Sequence, residues 1–193
     1  MRAGRVPVRV LSDRRPDRLL PDGRAARRGV RQPRHGERRL RLGAGSGLLV
    51  LAGDILKTAA ACASAGVALP GMGRMAVLYA GLGAVLGHCW PVWNGFRGGK
   101  GVAVAGAASI LFSPPVGIAS YLLGAAAVLA TGYLAVGSAV IAVSLPLLTA
   151  LFGLGREAAA AAGVIGGVML LRHSGNFARM RAGTKAGPPS RRG

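Results

Sequence analysis

Between residues 43 and 171 the chain carries only five basic and two acidic side chains. The rest of its charge sits at the ends: 14 arginines against four acids in residues 1–42, and six basic groups with no acid in residues 172–193. A middle so poor in charge, in a chain that is 51% hydrophobic and 16% charged, exceeds what one soluble core of this size needs. It meets the demand of lipid, where an ionised side chain costs about 2.5 to 3.5 kcal/mol even on insertion scales. The net charge of +19 is therefore a property of the ends. By itself it is no argument for nucleic-acid binding, which would require the first 42 residues to act as a salt-sensitive basic arm.

The apolar middle divides at prolines and glycines, the residues that punctuate helices. Runs at 45–69, 72–89, 102–112, 116–130, 133–152 and 158–171 are separated by Pro70-Gly71, a polar loop at 90–101, Ser113-Pro114-Pro115, Thr131-Gly132 and a turn at 153–157. This predicts an all-α polytopic membrane fold of about six transmembrane or partly inserted helices, since several runs fall short of the roughly 20 residues that cross a bilayer. Two crossings separate Arg41 from the loop holding Arg97 and Lys100, and four more separate that loop from the tail. All three basic regions then share one side, which the positive-inside rule assigns to the cytoplasm. The expected organisation is an Arg-rich segment at 1–42, a membrane domain at 43–182 and a basic cytoplasmic tail at 183–193. No apolar run near the N-terminus resembles a signal-peptide core, so later helices are expected to direct insertion. Cys62 and Cys89 lack CxxC spacing and read as buried thiols, with no zinc site expected.

The loop between the second and third runs is the most informative stretch: Gly87-His88-Cys89-Trp90-Pro91-Val92-Trp93-Asn94-Gly95-Phe96-Arg97-Gly98-Gly99-Lys100-Gly101. Gly98, Gly99 and Gly101 surround a lysine and permit positive φ, so successive backbone N–H groups can converge on an anion beside an ammonium. A helix starting directly after this loop adds its dipole. The spacing is not that of a Walker A loop. A glycine-rich turn whose Arg97 and Lys100 only anchor at the headgroups would have the same composition.

The pattern GHxxPxxxxFxGGKGVA over residues 87–103 resembles the second signature block of the acyl-phosphate-dependent glycerol-3-phosphate acyltransferases of bacterial phospholipid synthesis. Residues 47–57 are similar to that family's helix after its first block, which makes Asp54 and Lys57 an expected intramembrane ion pair. Residues 173–184 resemble the third block, HxxNxxRxxxGT, with His173 and Asn176 on one helix face and Gly183 in its Gly-Thr pair. Residues 133–138 resemble the family's Tyr-Val-Ser-Leu-x-Ser stretch and bring in Ser138, which otherwise reads as a helix-start serine. Three departures stand out: Lys185 replaces the usual glutamate after Gly-Thr, Gly132 stands where an arginine commonly precedes the tyrosine, and Ala135 replaces the first serine.

Family members open with an apolar helix and a Ser-Gly-Asn-x-Gly-x-x-Asn block, whereas residues 1–42 are Arg-rich and sparse in apolar runs. One reading is a disordered basic arm. The favoured expectation is a wrong-frame segment, because shifting codons 29–38 by one base permits Gly-Ser-Gly-Asn-Pro-Gly-Thr-Ala-Asn-Val, the missing first block. Only Arg41 would then remain from that region, and the chain as it stands is expected to be impaired or inactive. The intact family fold would have about seven helices.

The resemblance implies transfer of an acyl group from acyl phosphate to the sn-1 hydroxyl of glycerol 3-phosphate, giving lysophosphatidic acid and phosphate, with no cofactor or metal. The partners it implies are glycerol 3-phosphate, acyl phosphate and membrane lipids, without nucleic acid, in the bacterial inner membrane. Oligomeric state is left open. His173, Asn176 and Ser138 are the expected catalytic group; Arg41, Gly98, Gly99, Lys100 and Gly101 bind phosphate; His88, Asp54, Lys57 and Gly183 support them. The competing function class is a small membrane transporter or channel for anionic metabolites, which would use a similar basic loop and predicts flux without acyl transfer.

Overall fold

A computed structural model describes residues 43–182. Its six α-helices are α1 (Gly43–Ala68), α2 (Arg74–Cys89), α3 (Val102–Phe112), α4 (Pro114–Thr131), α5 (Leu134–Leu151) and α6 (Arg156–Arg181), with no strand among the described residues. The all-α expectation holds for the physical reason behind it: hydrocarbon offers no hydrogen bonds, so each apolar run satisfies its backbone internally.

Four helical spans, Gly45–Ala68, Arg74–Asn94, Pro114–Thr131 and Leu134–Leu151, are long and apolar enough to cross a membrane. The fifth, α3, has 11 residues, about 16 Å at 1.5 Å per residue, roughly half a hydrocarbon core. The sixth, α6, has 26 residues, about 39 Å, so its charged C-terminal turns extend beyond the apolar stretch. Most ends differ from the sequence reading by one or two residues, and two of the differences have a clear cause or consequence. Helix α4 starts at Pro114, because a proline in the first turn loses no helical hydrogen bond. Helix α6 continues ten residues past Leu171, so the stretch carrying His173 and Asn176 belongs to the same rod.

Small residues set the packing, as expected where van der Waals contact replaces the hydrophobic effect. A methyl group at Gly81 of α2 would overlap Ala108 of α3 and touch Cys62 of α1, marking the point where three helices meet. Gly124 and Gly137 bring the backbones of α4 and α5 together: a Cβ on Gly137 would lie 2.7 Å from the Gly124 carbonyl oxygen. Pro146 lies inside α5 and has no N–H to give the carbonyl of Ala142 one turn earlier. Gly166 of α6 packs its Cα directly on that carbonyl, with a Cβ there falling 3.1 Å from the carbonyl carbon.

Directions follow from contacts. Tyr79 near the start of α2 donates to Glu157 at the start of α6, while Arg172 late in α6 stacks on Trp90 just after α2. The two helices are therefore parallel. Helix α1 is antiparallel to α2, because Lys57 meets His88 and Cys62 donates to Val77. One end of the bundle thus collects the start of α1, the α2–α3 loop, the α4–α5 turn and the end of α6. Among the described residues, that end holds Lys57, Arg97, Lys100, Arg172, Arg179 and Arg181 against Asp54, and the opposite end holds Arg74, Arg156 and Glu157.

Candidate active site at the basic end

Helix α2 ends at Cys89, and the chain turns through a short 3-10 segment, Val92–Asn94, then Gly95 and Phe96, both at positive φ. It returns antiparallel to the end of α2. The Gly98 N–H donates to the Cys89 carbonyl at 3.2 Å and the Gly99 N–H to the His88 carbonyl at 3.1 Å. These bonds satisfy carbonyls that α2 would otherwise leave open at its C-terminus.

This corrects the sequence reading of the glycines. Gly98 and Gly99 are not at positive φ; only Gly101, with φ 78° at the N-cap of α3, is. They are glycines because nothing larger fits: a Cβ on Gly98 would lie 2.6 Å from Pro91 Cδ and 2.8 Å from the Cys89 carbonyl oxygen. A Cβ on Gly99 would overlap the His88 imidazole. Their N–H groups close α2. The N–H groups that a helix leaves without an internal partner are here those of the first turn of α3, which begins two residues after Lys100.

His88 links the loop to α1. Lys57 Nζ lies 2.6 Å from Asp54 Oδ1 and 3.1 Å from His88 Nδ1, and Asp54 Oδ1 lies 3.3 Å from the same nitrogen. An ammonium only donates and a carboxylate only accepts, so His88 Nδ1 accepts from Lys57 when the ring proton is on Nε2 and donates to Asp54 when Nδ1 carries it. The expected Asp54–Lys57 pair is present, with His88 as its third member.

Arg172, which the sequence reading passed over, closes the cluster. Its Nε donates to the Gly99 carbonyl at 3.0 Å and its Nη2 to the Gly98 carbonyl at 2.8 Å. Its guanidinium carbon sits 5.5 Å from the centroid of the Trp90 ring. The one signal for it in the sequence was position: it is the first charge after the apolar stretch of α6 and immediately precedes His173.

His173 and Asn176 lie one turn apart on α6, both buried. His173 Nδ1 is 2.8 Å from the Met169 carbonyl, which can only accept, so the proton sits on Nδ1. The ring tilts against Phe177, and Asn176 Oδ1 accepts from Arg179. Ser138 donates to Leu134 of its own helix at 2.9 Å. The contacts of Pro146 with Gly163 and of Ala142 with Gly166 fix the α5–α6 register, which puts Ser138 about level with Met169 and Leu170, roughly one turn deeper than His173. The structure thus brings together Asp54, Lys57, His88, Gly98, Gly99, Lys100 and Gly101 with the end of α6, and leaves the Ser138 hydroxyl bonded within α5. Arg41 and Gly183 lie outside the described residues.

An apolar groove of about 370 Å³ begins beside this cluster. Leu51, Ile55 and Ala59 of α1 face Ala103 and Leu111 of α3, with Tyr121 of α4 alongside. Ile55 follows Asp54, and Ala103 lies three residues beyond Lys100. From Ala103 to Leu111 the groove runs roughly 12 Å along α3.

A family profile described as glycerol-3-phosphate acyltransferase matches residues 39–183. A glycerol-3-phosphate acyltransferase of Rubrobacter xylanophilus is 36% identical over 143 residues, 74% of this chain and 71% of that protein. One from Ruegeria is 44% identical over 58% of this chain and 55% of its own length. Two crystal structures of PlsY (YgiH), an integral membrane glycerol 3-phosphate acyltransferase, have the same fold. The glycerol 3-phosphate form superposes with a TM-score of 0.69 at 31% identity, covering 78% of this chain and 75% of that one. The lysophosphatidic acid form gives 0.70 at 30% identity, with 80% and 79% covered. With the match spanning every described helix and both polar stretches of the basic end, this multi-pass membrane chain belongs to the glycerol-3-phosphate acyltransferase family.

Proposed function

We infer that the chain transfers an acyl group to the sn-1 hydroxyl of glycerol 3-phosphate, giving lysophosphatidic acid, and that the donor is an acyl phosphate. The observation that carries this reading is the junction of the basic cluster with the apolar groove. A substrate pair with phosphate heads and one long chain needs both in one place.

An acyl phosphate is already activated, so the site has to align groups and stabilise charge. The hydroxyl oxygen bonds to the acyl carbon, the bond from that carbon to the phosphate oxygen breaks, and the hydroxyl proton leaves with the departing phosphate. Lys100 and the first turn of α3 hold a phosphate; His173 and Asn176 orient the reacting hydroxyl; Ser138 supports them from one turn below; the groove takes the chain. Gly101 provides the left-handed turn that starts α3. Solution partners are glycerol 3-phosphate, acyl phosphate and surrounding lipid. Six cations against one acid at this end support a cytoplasmic orientation in a bacterial inner membrane.

We further propose that residues 1–42 are a wrong-frame segment, a reading supported for residues 1–38 by the family match, which begins at residue 39 and takes in Arg41. Membranes containing the full chain, and a version with the shifted block restored, are assayed for transfer from acyl phosphate to labelled glycerol 3-phosphate. Transfer only by the restored version supports both the function and the frame shift. Transfer by both removes the need for the first block. Transfer by neither, with flux of glycerol 3-phosphate, returns the chain to the transporter class.

A further inference from the structure

We propose that Arg172 is a positioning residue that straps the α2–α3 loop to α6 and thereby sets the direction in which Lys100 and the start of α3 present their donors. The inference rests on the acyltransferase reading for its kinetic arm only.

Every hydrogen-bonding group of the two glycine residues is committed. Their N–H groups go to the end of α2, and their carbonyls go to one guanidinium on α6. A trans peptide points its C=O and the following N–H in opposite directions. The Gly98 carbonyl bonded to Arg172 therefore sends the Gly99 N–H the other way, which is where His88 accepts it. By the same rule the Gly99 carbonyl bonded to Arg172 turns the Lys100 N–H away from α6. Arg172 thus dictates the orientation of the Gly99–Lys100 peptide, from which the chain turns through Gly101 into α3.

The guanidinium suits this task in a way an ammonium does not. Its edge supplies two coplanar donors for two successive carbonyls, while its face stacks on Trp90. A lysine could reach one carbonyl without the stacking. Because the neighbouring residue on α6 is His173, the strap also fixes the distance between the phosphate-holding loop and the histidine. Arg172 acts through the loop and makes no contact with substrate in this account.

The test uses the full chain in detergent-opened membranes. Trypsin cleavage after Arg97 and Lys100 is followed by mass spectrometry in wild type, Arg172→Gln and Arg172→Lys. Loss of two charge-assisted bonds should speed cleavage roughly tenfold to a hundredfold in Arg172→Gln, with Arg172→Lys between it and wild type. Equal cleavage in all three overturns the proposal. In whichever version transfers acyl groups, Arg172→Gln should raise the KM for glycerol 3-phosphate, and the double variant with Lys100→Ala should be no worse than Lys100→Ala alone. Multiplicative losses would make Arg172 an independent phosphate ligand and overturn the positioning role. Faster cleavage in a chain that shows no acyl transfer in any version would sustain the strap while removing the function it was argued to serve. Should Arg172→Gln fail to fold, Arg172→Lys against wild type still decides.

Discussion

The Cα of Gly98 lies so close to the carbonyl oxygen of His88 that no side chain fits between them. The obstruction is backbone, with Pro91 Cδ and the Cys89 carbonyl behind it, so it cannot turn aside. Gly98→Ala must push the loop off the end of α2. A shift of about 1 Å at a positioned site costs on the order of 10²-fold, and in the version with the shifted first block restored, in which the kinetic effects of the other substitutions are also measured, kcat/KM for acyl transfer is expected to fall by that much. Activity close to wild type would mean the loop position does not matter to the site.

Gly99→Ala meets a different obstacle, the His88 imidazole, which is a side chain that can rotate. The cost then falls on the contacts of His88 with Lys57 and Asp54. Removing the ring should make room for the methyl group, so Gly99→Ala combined with His88→Ala is expected to lose less than the sum of the two single changes. A double-mutant cycle on kcat/KM measures this directly, and strict additivity would contradict the packing.

These two glycines show how far the sequence could be read. The helices were legible because lipid forces every apolar run to close its own hydrogen bonds, and the Asp54–Lys57 pair because residues 47–57 resemble the family's helix after its first block. The loop was recognisable as a motif and Gly101 does adopt positive φ, yet Gly98 and Gly99 are glycines for a different physical reason. Composition cannot distinguish a glycine needed for positive φ from one needed for close approach, since that depends on what another element presses against it. Arg172 escaped for the same reason: its partners are carbonyls 73 and 74 residues away, and carbonyls carry no sequence signal. The register of Ser138 against α6 likewise depends on Pro146 and Gly166, a contact visible only in three dimensions.

The Asp54–Lys57 pair predicts an asymmetry. Asp54→Ala leaves an ammonium in an apolar helix beside His88, which also loses its carboxylate neighbour. The single change should lower stability by on the order of 2 kcal/mol, whereas Asp54→Ala with Lys57→Met removes both charges and should recover much of it. Thermal unfolding in detergent, followed by loss of the monodisperse peak, separates the two. A double variant as unstable as the single would show that the pair is not what holds this region.

Lys100 is the cation at the start of α3, and its removal should act on substrate more than on fold. In the block-restored version, Lys100→Ala is expected to raise the KM for glycerol 3-phosphate by about 10- to 100-fold, the worth of charge-assisted hydrogen bonds to an anion, while membrane insertion and thermal stability stay near wild type. Unchanged kinetics would remove Lys100 from the phosphate site.

Gly166 supplies the converse case, a change expected to affect the fold and spare the chemistry. Its Cα rests on the Ala142 carbonyl, which has no N–H from Pro146 to bond. Gly166→Val would drive a branched side chain into backbone atoms that cannot rotate away, splaying α5 from α6 at a cost of about 1 to 3 kcal/mol. The contact lies two turns below His173, so the molecules that remain folded should show an unaltered KM for glycerol 3-phosphate. Thermal unfolding and kinetics on the same preparation test both halves. A lower unfolding temperature with an unchanged KM fits the packing; a raised KM would mean that the α5–α6 crossing, and with it the depth of Ser138, is coupled to the polar end of the bundle.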